Sequence, residues 1–212
     1  KTTSSGNNWF IQRMITSEFS GLNRLFILNK DTLFIASYIG TAGNIGYMIR
    51  TTNGGINWQS YSWPTTAAPS DLFVLNLDTI WMCGPSGSSG GLFRTTNGGL
   101  NWQLQYIGIS TSNPNKIYMY NARIGFMSAG SSFLKTTNSG VNWTQITGEN
   151  DYTDIYFIDS LKGYVKVFLI GCGECATTCK TGGVPELLAI KALLEKEGKV
   201  VLGDAVKWVK LN

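Results

Sequence analysis

Histidine is absent from the 212 residues, so a zinc site in this chain has to be assembled from thiolates, a carboxylate or a group from another chain. Charge is sparse as well. Charged residues make up 14% of the sequence and the formal net charge is only +4, spread evenly, with no basic stripe and no platform of aromatics beside arginines. Nucleic-acid binding therefore has little support. No apolar stretch approaches the twenty or so residues of a membrane-spanning helix. Lys1 falls inside a repeat, so the sequence neither indicates nor excludes a leader peptide.

What the chain does contain is one motif written four times: Lys1-Thr-Thr-Ser-Ser-Gly-Asn-Asn-Trp9, Arg50-Thr-Thr-Asn-Gly-Gly-Ile-Asn-Trp58, Arg94-Thr-Thr-Asn-Gly-Gly-Leu-Asn-Trp102 and Lys135-Thr-Thr-Asn-Ser-Gly-Val-Asn-Trp143. The tryptophans lie 49, 44 and 41 residues apart, the period of a supersecondary unit that must stack on its neighbours to bury its apolar face. Asn-Gly demands positive φ and is a strong hairpin signal, while the Thr and Asn side chains can bond nearby backbone. The sequence thus predicts a hairpin clamp with the indole packed back over its turn. Trp9, Trp58, Trp102, Trp143, Asn53, Gly55, Asn97, Gly99, Asn138 and Gly140 are its expected structural residues.

The segments upstream of the boxes repeat too. Leu25 to Leu28 with Thr32 to Ala36 matches Leu72 to Leu75 with Thr79 to Cys83, then Ile117 to Tyr120 with Ile124 to Met127. These short β-branched and aromatic runs between Asn, Asp and Gly turns predict strands. A fourth copy opens at Ile155 to Ile158 and Lys162 to Val165, and no box follows it. Four-stranded blades of a partial or small β-propeller result, about four in number: residues 1–20 close one blade, three complete blades follow, and 153–165 begin another. Cys83 aligns with Ala36 and Ser128, which marks it as a small packed core residue.

The boxes resemble the Asp-box, S/T-x-D/N-x-G-x-x-W, of sialidase-like and sortilin-like propellers, with Asn53, Asn97 and Asn138 where Asp is usual. The chain is also similar to the photosystem II stability and assembly factor family and to secreted bacterial repeat proteins. That resemblance implies a non-catalytic propeller that presents loops or an edge to a protein partner. Sialidase activity is not expected, because Arg50 and Arg94 occupy the first box position and no other arginine cluster or activated tyrosine stands out. The seven tryptophans, four of them in boxes, read as packing elements rather than a sugar-binding surface.

From Lys166 the composition changes. The last 47 positions hold 12 of the acidic and basic residues, and the Asn-Gly turns stop. The change sets a domain boundary at about Val165, with an Asp-box propeller over 1–165 and a small α/β segment over 166–212. Val167 to Ile170 has the character of a buried strand, Pro185 suits a first helical position, Leu187, Ile190 and Leu194 share a helix face, and Gly198 follows the helix. Lys199 to Leu202 and Ala205 to Val209 are expected as further strand. So short a segment needs a metal, a disulfide or a partner. One further expectation is that Val167 to Ile170 completes the open fourth blade.

Cys172, Cys175 and Cys179, spaced C-x2-C-x3-C, are the one constellation that can carry chemistry. Three thiols in one loop beside a helix start and Lys180 favour thiolates, which zinc and iron–sulfur clusters require. Zinc would need Glu174, Cys83 or another chain as fourth ligand. A redox dithiol, or thiols with no function, are the competing readings. Gly171-Cys-Gly173-Glu-Cys-Ala176 also fits G-x-G-x-x-A, with Asp204 further on as a ribose-binding acid, but Gly182, Gly183 and Pro185 start the helix too late for a dinucleotide fold.

The run from Ile170 to Gly183, followed by the Pro185-Glu186 helix and Glu197-Gly-Lys-Val-Val201, resembles the start of the methylenetetrahydrofolate reductase C-terminal domain family, which includes a small partner subunit. The resemblance implies metal or iron–sulfur ligation by the three cysteines in an accessory role, without a flavin barrel or folate site in this chain. The two halves point to different compartments, an exported or periplasmic one for the propeller and the cytoplasm for free clustered thiols. Joining of two unrelated coding pieces would explain the junction inside a repeat.

Overall fold

The computed structural model describes residues 2–10, 20–40, 45–86, 89–107, 113–147, 151–157, 163–168 and 206–211, and all regular structure among them is β-strand. The chain divides into two compact units, residues 1–110 and 111–212.

In the first unit β1 (Gly21–Ile27), β2 (Leu33–Ile39), β3 (Ile45–Thr51) and β4 (Gln59–Ser62) form one antiparallel sheet in sequence order. β5 (Asp71–Val74), β6 (Ile80–Ser86), β7 (Ser89–Thr95) and β8 (Gln103–Ile107) form the next. Period-2 alternation sorts each sheet's side chains into two faces. Leu25, Ile35 and Ile49 lie side by side across β1, β2 and β3, as do Phe26, Phe34 and Arg50 on the opposite face. In the second sheet Leu72, Met82 and Phe93 occupy the row that corresponds to Leu25, Ile35 and Ile49.

Both faces of these strands carry apolar side chains, which is what a sheet stacked between two others needs. Phe34, Ala36, Met48 and Trp63 from the first sheet pack against Leu72, Val74, Ile80, Met82 and Phe93 of the second, with Phe26, Leu28, Tyr61 and Trp102 at the margin. Phe26 meets Phe73 edge-on at 5.3 Å, and Trp63 meets Phe93 at 4.8 Å. At the end of the interface Arg24 approaches Asp71. Cys83 is fully buried opposite Asp71 in the β5–β6 register, and its counterparts Ala36 and Ser128 are fully buried too.

In the second unit β9 (Pro114–Met119), β10 (Gly125–Ala129), β11 (Ser132–Thr136) and β12 (Thr144–Thr147) form a third four-stranded antiparallel sheet, and β13 (Asp151–Phe157), β14 (Gly163–Phe168) and β15 (Val206–Leu211) form a three-stranded one. Here the structure differs from the reading of the sequence. The strand expected from Val167 onward is the C-terminal end of β14, which begins at Gly163 and crosses residue 165 without a break. Tyr164-Val-Lys-Val-Phe168 contains no turn residue, so nothing in it interrupts pairing with β13. The strand that pairs on β14's other side comes from beyond the cysteine run: β15 runs antiparallel to it, from Gly163 opposite Leu211 to Phe168 opposite Val206. The expected strand at Ala205 to Val209 is thus described as β15, while the expected helix over 185–197, the strand at Lys199 to Leu202 and the whole cysteine loop lie outside the described residues.

Candidate functional site

The repeated box is the most completely built polar site among the described residues, and its chemistry starts from one threonine. Thr51 leaves β3 fully buried, and its hydroxyl accepts the N–H of Gly55 at 3.0 Å while donating to Asn53 Oδ1 at 3.0 Å. Asn53 Oδ1 also accepts the N–H of Asn57 at 2.9 Å. Thr95, Asn97, Gly99 and Asn101 repeat these contacts, as do Thr136, Asn138, Gly140 and Asn142. In the first box Thr2 accepts from Gly6, and Ser4 takes the place of Asn by accepting from Asn8 at 2.9 Å. The requirement is for an acceptor oxygen at this position, which explains why Asn, and even Ser, serves where a carboxylate is usual.

The turn itself uses two consecutive left-handed residues: Gly54 and Gly55 at φ 68° and 89°, Gly98 and Gly99 at 69° and 97°, Ser139 and Gly140 at 65° and 87°, and Ser5 and Gly6 at 51° and 89°. Each is closed by an N–H three residues on, Ile56 to Asn53 O, Leu100 to Asn97 O, Val141 to Asn138 O and Asn7 to Ser4 O. Two positive φ values in succession match the turn whose twist suits a hairpin. Ser139 carries a Cβ in that conformation at a cost of about 1–2 kcal/mol, only partly offset by the lower unfolded-state entropy of serine. Ser139→Gly is therefore expected to raise stability by about 0.5–1 kcal/mol, read as a higher thermal midpoint; an unchanged or lower midpoint would contradict the strain argument.

A second repeated device was not foreseen. Asn29, Asn76 and Asn121 each follow the first strand of a sheet, and each Oδ1 accepts the N–H groups two and three residues on. The turn so fixed presents a main-chain carbonyl to the box of the same sheet: Asp31 O to Gly54 N–H at 2.8 Å, Asp78 O to Gly98 N–H at 3.0 Å, and Arg123 O to Ser139 N–H at 2.9 Å. The signal was an asparagine one residue after each Leu28, Leu75 and Tyr120. Asn97→Ala should remove two acceptor contacts and leave the Thr95 hydroxyl and the Asn101 N–H to find others, costing about 1–3 kcal/mol in thermal or urea unfolding. Asn97→Asp keeps the acceptor and should cost far less.

The four box tryptophans are not equivalent. Trp58 and Trp143 fold back as expected, each indole N–H donating to the carbonyl of the box glycine, Gly55 at 3.1 Å and Gly140 at 3.0 Å. Trp102 instead turns into the interface of the first unit, 6.0 Å from Trp63 in an edge-to-face contact, and its Nε1 has no hydrogen-bond partner. Trp9 is 73% exposed. The basic residue that opens each of the other three boxes is also engaged. Arg50 lies over the Tyr61 ring and donates to its hydroxyl at 2.5 Å, Arg94 lies over Trp81, and Lys135 over Phe126. These contacts hold the cations against aromatic faces of their own sheets.

One apolar position in three of the boxes faces outward. The residue after the left-handed pair gives its N–H to the turn and leaves its side chain in solvent: Ile56 is 77% exposed, Leu100 72% and Val141 61%. Cys172, Cys175, Cys179 and Glu174 lie outside the described residues, as do Gly171 to Ala176 and Asp204 of the dinucleotide-like pattern.

No protein-family model and no curated protein matches the sequence. Solved structures do. The GH74 xyloglucanase from Xanthomonas campestris overlays with a TM-score of 0.53 at 12% identity, over 65% of this chain and 25% of that one. YCF48 from Cyanidioschyzon merolae overlays with a TM-score of 0.52 at 15% identity, over 70% of this chain and 49% of that one. Both have β-propeller folds. The present fold is propeller-like. A further structure, YCF48 bound to D1 peptide, overlays at a TM-score of only 0.39 and 12% identity, too loosely to argue from. The chain spans about a quarter and about half of the two closer structures.

Proposed function

We propose that this protein is a non-catalytic propeller scaffold that binds a protein partner, the role implied by the assembly-factor family its boxes resemble. The observation that carries the reading is the division of labour within each box. In three boxes the buried threonine hydroxyl and the asparagine Oδ1 are bonded within the turn, while Ile56, Leu100 and Val141 stand exposed at the same point of each. Single exposed aliphatics are ordinary, but the same exposed position repeated on a fixed hairpin offers a protein surface an apolar foothold at low ordering cost. Three acidic residues serve structure in a compatible way: Asp71 approaches Arg24, and Asp31 and Asp78 sit in the turns that hold the boxes.

The test is a photo-crosslinking residue at position 56 or 100, introduced in the host cell. A discrete crosslinked protein is expected. Its loss in Ile56→Asp and Leu100→Asp variants with unchanged thermal midpoints would support the reading, and crosslinking indifferent to those changes would oppose it.

A second reading concerns the tail: Cys172, Cys175 and Cys179 as ligands of an iron–sulfur cluster or zinc in an accessory domain of a redox complex, favoured by their spacing. Anaerobic purification with metal analysis and visible absorbance decides it. A brown, iron-bearing sample that bleaches in Cys175→Ser supports cluster ligation, stoichiometric zinc supports a zinc site, and a colourless metal-free sample removes both.

A further inference from the structure

Two of the boxes contain a reactive pair. An asparagine followed by glycine cyclises readily: the glycine nitrogen, once it has lost its proton to water, attacks the side-chain Cγ, a C–N bond forms, and the amide nitrogen leaves as ammonia. One water then opens the succinimide. Hydrolysis at one carbonyl gives aspartate, and at the other isoaspartate, in which the main chain runs through Cβ. Asn53-Gly54 and Asn97-Gly98 are the two such pairs in the sequence, and both asparagines are exposed. In the third box Ser139 follows Asn138, and its Cβ hinders the same attack.

The glycines, by contrast, are buried, and each N–H, the proton that has to leave, is held by a main-chain carbonyl: Gly54 by Asp31 O at 2.8 Å and Gly98 by Asp78 O at 3.0 Å. Asn29 and Asn76 aim those carbonyls. Asn29 Oδ1 accepts the N–H groups of Asp31 and Thr32 at 3.0 and 2.9 Å, and Asn76 Oδ1 those of Asp78 and Thr79 at 3.0 and 2.7 Å. A main-chain proton bonded in this way exchanges only when the turn opens. The electrophile is pinned too, with Asn53 Oδ1 between the Thr51 hydroxyl and the Asn57 N–H, and Asn97 Oδ1 between the Thr95 hydroxyl and the Asn101 N–H.

We infer that Asn53 and Asn97 are deamidation sites whose rate is set by the clasps of Asn29 and Asn76, which withhold the Gly54 and Gly98 protons until the turn opens. The fate of the box then depends on how the ring opens. Aspartate keeps an acceptor for the threonine hydroxyl and for the N–H four residues on, and it is the residue usual in an Asp-box. Isoaspartate inserts an extra main-chain carbon at the left-handed turn and displaces the glycine N–H from its clasp.

The test incubates the protein in mildly alkaline buffer and follows its peptides by mass for conversion of amide to acid, with isoaspartate identified by electron-transfer fragmentation. In the folded protein both asparagines should convert at least about tenfold more slowly than in the same protein unfolded in urea. Asn76→Ala should speed Asn97 by roughly tenfold, the effect of losing two hydrogen bonds from the closed turn, and leave Asn53 unchanged. Asn29→Ala should do the reverse. That crossed selectivity separates the clasp from a general loss of stability, because both boxes belong to one compact unit and its unfolding would speed both. Asn76→Asp keeps the acceptor and should keep Asn97 slow. Equal rates in the folded and urea-unfolded protein overturn the inference, as does a clasp variant that speeds both asparagines alike or neither.

Discussion

Phe34→Ala is expected to lower stability by about 3–5 kcal/mol, the range for deleting a fully buried aromatic ring whose site cannot collapse. Phe34 is fully buried between β1, β3 and the second sheet, with Phe26 and Arg50 beside it in register and Leu72, Val74 and Ile80 across the interface. Rigid strands on both sides limit relaxation, so most of the lost volume persists as a cavity. For a unit of this size the loss corresponds to a fall of more than about 10 °C in thermal midpoint. The control lies on the same sheet: Leu25→Ala, on the open face, should cost less than about 1 kcal/mol. Similar losses at the two positions would mean that the two faces of this sheet are not covered differently.

Much of this architecture was legible because its determinants are local. Alternating runs such as Leu72-Phe-Val74 and Ile80-Trp-Met-Cys83 specify strands within a few residues, and Asn-Gly specifies the hairpin. Three of the four boxes fall between the third and fourth strands of the three four-stranded sheets, and the alignment of Cys83 with Ala36 and Ser128 located a common buried position. The third strand of the last sheet was less legible. Ala205 to Val209 reads as strand, but its pairing with β14 joins segments some forty residues apart, and no local pattern encodes so distant a register.

At the candidate site, residue types predicted the contacts and tertiary context decided the exceptions. Thr51, Thr95 and Thr136 do what a hydroxyl four residues before a left-handed glycine can do, which depends only on the turn. The orientation of the indole does not. Trp58 and Trp102 have nearly the same flanking sequence, yet Trp102 meets Trp63 in the sheet interface while Trp58 bonds Gly55. What differs is the neighbour, and a neighbour 39 residues upstream leaves no mark in the box itself. The clasp from Asp31, Asp78 and Arg123 was missed for a related reason: it uses main-chain carbonyls, so an arginine can stand where the other two copies have aspartate.

The interface of the first unit also carries an ion contact whose removal should be felt strongly and asymmetrically. Arg24 Nε and Asp71 Oδ1 are 3.0 Å apart, with Arg24 41% exposed and Asp71 2% exposed; the N–H is not aligned on the oxygen, so the contact is charge proximity more than a hydrogen bond. Arg24→Met keeps much of the aliphatic stem and withdraws the cation from a carboxylate that solvent scarcely reaches. Loss of a partner from a fully buried pair costs roughly 3–5 kcal/mol, and the solvent around Arg24 reduces this to about 2 kcal/mol. Asp71→Leu leaves the cation free to turn into water and should cost less. The double variant Arg24→Met with Asp71→Leu removes the buried charge altogether and should recover most of the loss seen in Arg24→Met, because an apolar pair of similar volume suits an interface already lined by Leu72 and Val74. Urea unfolding of the four proteins gives the coupling free energy directly. Additive losses would mean that the two residues contribute independently and that the charge contact does not help hold the sheets together.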